Sequence, residues 1–301
     1  MKQAAIGIDL GGTNLRAAVF ADLPTSAKPV IVHKESVGAD RSPDAIASRV
    51  ATLVPELLKR AETGGLCIPV GIGFAGMLSG HDGHVTNSPN FGWRNVPLGA
   101  MLRQKLGERY KIGIYNDVNA ITYGEYRLGA GVGASDILAI FVGTGIGAGA
   151  VCGNQLLEGY NNTAAELGHT KVVIDEDALR CSCGLKGCVE AYVGGRALQE
   201  RARRELESWA SSSAVLLAGS IDNVHPGHLD EAAAAGDDYA LELYSEISPM
   251  LGLAIANAVT LLNPERLVLG GGVFSRTPVL RDHVLAAFEA AVNPPAREGL
   301  E

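Results

Sequence analysis

Three of the chain's five cysteines, Cys181, Cys183 and Cys188, stand close together, and His169 precedes them. Three thiolates and one imidazole form a closed tetrahedral ligand set, which suits structural Zn²⁺ and leaves no open position for catalysis. An odd number of cysteines is also a poor basis for a disulfide framework. The spacing therefore predicts a structural zinc site. Scattered buried thiols, or a redox pair at Cys181 and Cys183, are the alternatives.

Two glycine-rich turns could bind anions through backbone N–H groups. The first is Gly11-Gly12-Thr13, and the second spans 143–147 with Thr144 and Gly145 at its centre. Small residues let successive N–H groups converge on an anion, and each threonine hydroxyl adds a donor. Asp9, just before the first turn, is suited to hold Mg²⁺ through water. Either turn alone is more often a tight hairpin, but two in corresponding positions of two halves favour phosphate binding.

Several carboxylates and amides could act on hydroxyl groups. Asp117 follows a predicted strand and opens a predicted helix, so it is either an N-cap or a general base for a hydroxyl attacking phosphorus. Glu166 and Glu190 flank the predicted zinc ligands. They are ordinary surface or capping residues unless zinc fixes their loop, which would fix both carboxylates for hydrogen bonding to hydroxyls. Asn90 is either a turn residue or a hydroxyl-binding amide.

Two common nucleotide motifs do not fit. The chain contains no GxxxxGK[ST] segment, which argues against a P-loop. The segment GIGFAG at 71–76 matches GxGxxG, but a loop follows it, and no acidic residue stands at the distance that ribose binding needs. A dinucleotide site is therefore not expected.

The composition limits the class of protein and its partners. The chain has 301 residues, of which 47% are hydrophobic and 19% charged, so we expect a globular protein with room for two domains. The net charge of −8 argues against binding a nucleic-acid backbone but not against binding a nucleotide. The apolar run 251–262 contains Asn257 and Thr260 and is predicted to be too short and polar to cross a bilayer. With no leader-like pattern before the first strand, we expect a cytoplasmic protein.

Strand and helix patterns alternate along the chain, which predicts an α/β fold. One helix is predicted to begin after an N-cap at Ser42, with Pro43 at its first position, and to stop at Gly64. Another, 238–262, contains Pro249, which should kink or divide it. Cys67 and Cys152 fall in apolar strands and are predicted to be packing residues. The remaining strands are predicted at 4–9, 15–20, 30–37, 67–76, 111–117, 136–143, 146–153 and 265–275, and the remaining helices at 118–129 and 279–292.

Each half of the chain opens with a strand, a glycine turn and a strand, which indicates a duplicated architecture. We predict a smaller N-terminal α/β domain over 1–116 and a larger one over 117–292 that holds the zinc site. The segment of about 293–301 could join the first domain. This division would leave a cleft beside Asp117.

Taken together, these motifs resemble the ROK family of sugar kinases. The matching segments are DLGGTN, NDVNA, GTGIG, ELGH with CSCGLKGCVE, and LVLGGGV, and they cover nearly the whole chain. The histidine and three cysteines are the most specific of them. The resemblance implies a two-domain actin-like ATPase fold (ribonuclease H-like and hexokinase-like) with a cleft between the domains. Ala165 is a departure, because many relatives have glycine before the glutamate.

The resemblance also implies a role for each matching residue. Asp117 would accept the proton of the sugar's 6-hydroxyl, and His169 would face zinc with one ring nitrogen and the sugar with the other. Asp9 would hold Mg²⁺, and Gly271 and Gly272 would pass under the adenosine of ATP. The implied sugar contacts are Gly76, through its backbone, Asn90, Asn116, Asp117, Glu166, His169 and Glu190. The implied phosphate contacts are Gly11, Gly12, Thr13, Thr144 and Gly145.

The segment YNDVNAITYGEYRLGAG resembles bacterial glucokinases in particular, so the implied reaction is ATP-dependent phosphorylation of glucose at O6. N-acetylmannosamine, N-acetylglucosamine or fructose as substrate, and polyphosphate as donor, remain open. A sugar-responsive transcriptional repressor is disfavoured by the acidic charge and by the few residues before Asp9. A homodimer or higher homo-oligomer is expected from the family.

Overall fold

The computed structural model describes residues 4–21, 28–80, 82–209 and 211–301. The chain forms two compact units. Unit 1 comprises Met1–Gly129 and Glu158–Ala164, and unit 2 comprises Ala130–Leu157 and Ala165–Glu301. Both contain helices and strands, so the predicted α/β class is confirmed.

Unit 1 contains a five-stranded sheet and a small three-stranded sheet. Its elements are β1 (Ala5–Leu10), β2 (Asn14–Phe20), β3 (Ile31–Ser36), α1 (Pro43–Arg60), β4 (Ile68–Phe74), β5 (Met77–Ser79), β6 (His84–Ser88), β7 (Trp93–Val96), α2 (Leu98–Leu106), β8 (Tyr110–Asn116) and α3 (Asp117–Leu128). The large sheet has the order β3-β2-β1-β4-β8, and the small one β5-β6-β7. In the large sheet β1 pairs antiparallel with β2 and parallel with β4.

Local sequence explains where these elements begin. Along β1 the residues Ile6, Ile8 and Leu10 are buried on one face, which is the period-two pattern of a strand. Helix α1 begins after Ser42, whose Oγ accepts a hydrogen bond from Ala45 N, so the predicted N-cap is confirmed. The helix ends at Arg60, before the predicted stop at Gly64.

Unit 2 repeats the strand arrangement and surrounds it with more helices. Its elements are β9 (Ile137–Val142), β10 (Ile146–Cys152), β11 (Gln155–Leu156), α4 (Glu190–Val193), α5 (Gly195–Glu205), α6 (Ser213–Ala218), α7 (Pro226–Ala234), α8 (Asp238–Leu262), β12 (Arg266–Gly270), α9 (Pro278–Ala291) and α10 (Pro294–Arg297). The sheet order is β11-β10-β9-β12. As in unit 1, the first strand pairs antiparallel with the strand after the glycine turn and parallel with a later one. The duplicated strand–turn–strand pattern is confirmed.

Helix α8 is the long central helix of unit 2. By length and composition it could cross a membrane, and 44% of its most apolar window is buried within the protein. Tyr244, Ile247, Leu251 and Ile255 on this helix lie in the core of the unit. The helix runs on through Pro249, which therefore does not divide it. Burial of this kind is typical of a core helix in a globular protein.

Further differences from the sequence predictions concern the domain division and the cysteines. Helix α3 packs against β4 and β8, so unit 1 extends to Gly129 and not to residue 116. The segment 293–301 belongs to unit 2, because Ala296 is buried in its core and Glu301 N donates to Glu265 O beside β12. Cys67 is exposed just before β4 and is not a packing residue, whereas Cys152 is half-buried near the end of β10.

Candidate active site

The first glycine turn joins β1 to β2 in unit 1. Gly11 N donates to Asn14 O at 3.1 Å and closes the hairpin. Asp9 and Arg16 are paired across the two strands, and Arg16 Nη1 lies 3.0 Å from Asp9 Oδ2. About half of each of these two side chains is exposed, at 47% and 56%. An accessible carboxylate beside a turn of backbone N–H groups has the chemistry that water-coordinated Mg²⁺ and phosphate require.

Asn90 packs directly against this turn. A Cβ placed on Gly12 would lie 2.8 Å from Asn90 Cβ, closer than real Cβ contacts come. Glycine at position 12 therefore allows the loop that carries Asn90 to approach the turn. The structure thus brings together a predicted phosphate residue and a predicted sugar residue in the same unit.

Gly76 and Asn116 form a second such pair. Asn116 Nδ2 donates to Gly76 O at 3.3 Å. A Cβ on Gly76 would lie 2.7 Å from the ring of Phe74 and 3.0 Å from Asn87 O, so a side chain does not fit there. The contact between the two residues thus uses the backbone carbonyl of Gly76 and the side-chain amide of Asn116.

The N-cap of α3 is Asn116 and not Asp117. Asn116 Oδ1 accepts hydrogen bonds from Val118 N at 3.0 Å and Asn119 N at 3.1 Å. Asp117 is the first helical residue and half-buried, and its Oδ1 accepts from Val118 N at 3.0 Å. The capping alternative considered for Asp117 is thus wrong. The amide of Asn116 thus caps the helix with Oδ1 and binds Gly76 O with Nδ2.

The second glycine turn joins β9 to β10 in unit 2, and the start of α5 fixes it. Gly195 N donates to Gly143 O at 2.9 Å, and Arg196 N donates to Thr144 O at 3.0 Å. Glu190 binds the other side of the turn, where its Oε2 accepts from Ile146 N at 2.9 Å. A Cβ on Gly145 would lie 2.3 Å from this oxygen, so a larger residue there would displace the Glu190 carboxylate.

The four predicted zinc ligands converge in unit 2. The donor atoms of His169, Cys181, Cys183 and Cys188 all lie within 4.8 Å of one another. The Sγ of Cys181 is 3.6 Å from His169 Nδ1, and the Sγ atoms of Cys183 and Cys188 are 3.7 Å apart. Tetrahedral ligands on one Zn²⁺, with bonds of about 2.0–2.3 Å, would be separated by roughly 3.5–3.8 Å. The donor set and its spacing therefore fit zinc.

A metal ion bound at the cluster would have to displace the proton of Cys181. Burial raises the pKa of the Cys181 thiol to about 11. At neutral pH such a thiol is protonated unless a metal ion displaces the proton. Lys171 lies beside the cluster, and its Nζ donates to Cys188 Sγ at 2.9 Å. This ammonium group would offset part of the negative charge of three thiolates.

The two glutamates have different surroundings. Glu190 links the turn to the cysteine loop, because its Oε1 accepts from Ser182 Oγ at 3.0 Å. The side chain of Glu166 reaches solvent. Partial burial of its carboxyl nevertheless raises the pKa of that group. The charge of His169 lowers this pKa, and the charge of Glu190 raises it. Ala165, just before it, has φ of 61°, in the left-handed region that favours glycine. Glycine, which many relatives have at this position, would adopt this backbone conformation with less strain than alanine.

Gly271 and Gly272 follow β12 and differ in their surroundings. Gly271 has φ of 96°, and a Cβ there would lie 2.4 Å from Val142 O, so it packs against β9. A Cβ on Gly272 would meet no heavy atom of the described residues within 4 Å. Gly272 thus presents an open backbone surface that a flat ring could approach.

Comparison with known proteins gives the family. The model of the ROK family matches residues 5–300. The chain belongs to the ROK family. It is 35% identical over 274 residues to a glucokinase of Thermotoga maritima, covering 90% of this chain and 83% of that protein. It is 32% identical over 287 residues to a glucokinase of Streptomyces coelicolor, covering 94% and 86%.

Solved structures agree with this assignment. A ROK family glucokinase from Streptomyces griseus, in complex with glucose and AMPPNP, has a TM-score of 0.79 and 33% identity, covering 96% of this chain and 89% of that one. The predicted two-domain actin-like fold is thereby confirmed. Members with other names also match. An N-acetyl-D-glucosamine kinase of Photobacterium profundum is 30% identical, covering 89% of this chain and 83% of that protein. A xylose repressor of Caldicellulosiruptor bescii is 31% identical, covering 72% and 54%.

Sequence reasoning missed two contributors to these sites. Ser182 stands between two predicted metal ligands and donates to Glu190, and its small polar side chain in CSC was the available signal. Arg41 donates from Nη1 to Asn90 O at 3.1 Å across 49 positions of the chain. No local sequence pattern predicts a contact between residues so far apart in the chain.

Proposed function

We propose that this protein is an ATP-dependent sugar kinase that transfers the γ-phosphate of ATP to the 6-hydroxyl of glucose. Membership of the ROK family and the glucokinase relatives support the reaction class. The observation that carries the proposal within this chain is the arrangement at the start of α3. Asn116 caps the helix, and Asp117 is the first residue after the cap, half-buried, with its Oδ1 accepting from Val118 N at 3.0 Å; we assign its carboxylate the role of base.

The chemistry would be a direct phosphoryl transfer. As the 6-oxygen of the sugar forms its bond to the γ-phosphorus, Asp117 accepts the hydroxyl proton, the bond to the β,γ-bridging oxygen breaks, and ADP leaves. Mg²⁺, bound through water at Asp9, would neutralise charge on the phosphates. In unit 1 the turn at Gly12 would hold phosphate, and Asn90 would hold a sugar hydroxyl.

Unit 2 would bind both substrates through one connected segment. The turn at Thr144 and Gly145 would donate N–H groups to phosphate, and Gly272 would offer its open backbone to the adenosine. The carboxylates of Glu166 and Glu190 and the outer ring nitrogen of His169 would bind sugar hydroxyls. Structural zinc would hold the loop that contains His169 and Cys188 in one conformation. Rigid placement of the phosphate-binding turn and of the sugar-binding side chains favours an in-line geometry for phosphoryl transfer.

A panel of sugars in a coupled kinase assay tests the substrate. We expect the highest kcat/KM for glucose with ATP and Mg²⁺. A preference for N-acetylglucosamine, the substrate named for the Photobacterium relative, would keep the reaction and replace the sugar. Absence of sugar phosphate formation with every sugar, with either ATP or polyphosphate as donor, would refute the proposal. A cytoplasmic location and a homo-oligomeric state remain expectations.

The repressor alternative is tested separately. A xylose repressor is among the relatives, but the net charge of −8 disfavours a phosphate backbone as ligand. We expect no specific binding of duplex DNA at physiological salt, measured by fluorescence anisotropy. Saturable, sequence-specific binding that responds to a sugar would favour the repressor.

A further inference from the structure

We propose that Arg41 is a positioning residue for Asn90, and that Trp93 holds Arg41 in turn. This inference rests on the proposed function, because it assigns a purpose to the position of Asn90 at a sugar site. All three residues belong to unit 1.

The loop that carries Asn90 connects β6 to β7 and is anchored from beneath. Ser88, fully buried, donates from Oγ to Ala75 O at 2.8 Å, next to Gly76. Under the loop, the rings of Phe74, Phe91 and Trp93 form one cluster, with centroids 4.8–5.6 Å apart. The base of the loop is therefore rigid.

Asn90 itself lies at the exposed tip of this loop, where burial does not hold it. On one side, Gly12 lets the phosphate turn touch its side chain. On another side, Arg41 Nη1 donates to its backbone carbonyl at 3.1 Å. Trp93 completes the arrangement, because its Nε1 donates to Arg41 O at 2.7 Å. The segment before α1 is thus joined to this hairpin by two hydrogen bonds that run in opposite directions, one to the loop tip at Asn90 and one from Trp93 at the start of β7.

The position of Arg41 indicates an effect on orientation more than on folding. Its side chain is exposed, so replacing it buries no unpaired group, and water can take over the carbonyl of Asn90. The buried anchors at Ser88 and Trp93 would remain. What would be lost is the restraint on the tip, and a side chain held less firmly binds its ligand less well. We therefore expect the loss to fall on sugar binding.

The test compares Arg41→Ala and Arg41→Lys with the control Arg94→Ala, which removes another exposed arginine from the same hairpin. Sugar KM, ATP KM and kcat are measured for each variant. Sugar affinity is also measured without ATP from Trp93 fluorescence, in a Trp209→Phe background. We expect Arg41→Ala to raise sugar KM and Kd by about fivefold or more, as loss of a charge-assisted hydrogen bond predicts. ATP KM and kcat should change less than twofold.

Arg41→Lys should recover part of the sugar affinity, and Arg94→Ala should match the wild type. Trp93→Phe, which keeps the ring and removes the Nε1 donor, should raise sugar KM in the same direction by a smaller factor. Sugar affinity within twofold of the wild type in Arg41→Ala would overturn the inference while leaving the kinase proposal intact. Loss of the cooperative melting transition in both Arg41 variants would also overturn it, because Arg41 would then be structural. A wild-type protein that neither binds nor phosphorylates any sugar would refute both proposals.

Discussion

Glu190 joins the second glycine turn to the cysteine loop, since its Oε2 accepts from Ile146 N at 2.9 Å and its Oε1 accepts from Ser182 Oγ at 3.0 Å. One carboxylate thus contacts the predicted phosphate turn and the neighbour of two predicted zinc ligands. A change in the cysteine loop can therefore reach the turn through a single side chain. A zinc ion bound at the cysteines would thus influence the turn as well as its own loop.

The fit between Gly145 and Glu190 predicts unequal effects of two alanine substitutions in one turn. A Cβ at position 145 would lie 2.3 Å from Glu190 Oε2, whereas a Cβ on Gly143 would meet no heavy atom of the described residues within 4 Å. Gly145→Ala should lower the melting temperature by several degrees, since the carboxylate must move and its bond to Ile146 N is strained. Gly143→Ala should melt close to the wild type. Equal melting temperatures in differential scanning calorimetry would contradict this packing.

Ala165 should be replaceable by glycine with a gain in stability. Its φ of 61° costs an alanine roughly 1–2 kcal/mol, of which the greater entropy of glycine in the unfolded chain cancels about 0.5–1 kcal/mol. Ala165→Gly should therefore raise the free energy of unfolding by up to about 1 kcal/mol. Ala164→Gly, next to it and without a positive φ, should lower that free energy. Urea denaturation of the two variants decides, and a destabilised Ala165→Gly protein would argue against the left-handed backbone.

The zinc prediction is tested by metal content and stability together. Purified protein should contain about one tightly held zinc per chain, and a strong chelator should lower its melting temperature. Cys181→Ser should lose the metal. Cys152→Ser, which removes a thiol outside the cluster, should keep it. Metal-free protein with a reversible disulfide between Cys181 and Cys183 would support a redox site in place of zinc.

Asp237 predicts a dependence of stability on pH. Burial opposes its ionisation, but hydrogen bonds from Ala240 N, Ser213 and Ser212 outweigh burial and lower the pKa of its carboxyl. A lowered pKa in the folded state means that the contribution is present above pH 4 and is lost as pH falls below the unfolded value. Asp237→Asn keeps an oxygen that can cap the helix but removes the charge, so it should lose up to about 1 kcal/mol at pH 7.

The deficit of Asp237→Asn relative to the wild type should shrink as the pH approaches 3. Asp238→Asn, an exposed neighbour in the first turn of α8, serves as the control and should stay near the wild type. Thermal unfolding over pH 3–7 measures both variants. A deficit that is constant across this range would show that the charge of Asp237 is not what stabilises the helix.

The sequence predicted those features whose physical cause is local. The strands beside each glycine turn follow from alternation of buried residues, and the convergence of one histidine and three cysteines follows from their spacing. Capping of α3 by Asp117 was one of two alternatives, and the structure gives the cap to Asn116, because both residues cap well and the choice depends on where β8 ends. The short strands β5 and β7 carry too few residues to show a period.

Contacts between segments that are far apart in the chain could not be predicted from the sequence. The bond from Arg41 to Asn90 joins a loop before α1 to a loop after β6, and both residues are exposed and polar. Such residues are compatible with many arrangements, so only the fold brings them together. The extension of unit 1 to Gly129 has a similar origin, because it depends on which strands α3 packs against.

Asp117 is the central residue of the proposed phosphoryl transfer, and Asp117→Asn tests its role as the base most directly. Turnover should be measured with saturating glucose and ATP, and glucose binding separately from Trp93 fluorescence. We predict that kcat falls by a factor of at least about 10² while the Kd for glucose changes by less than about threefold, because a positioned base contributes to the reaction far more than to binding. Near-normal kcat in Asp117→Asn would contradict the proposed mechanism.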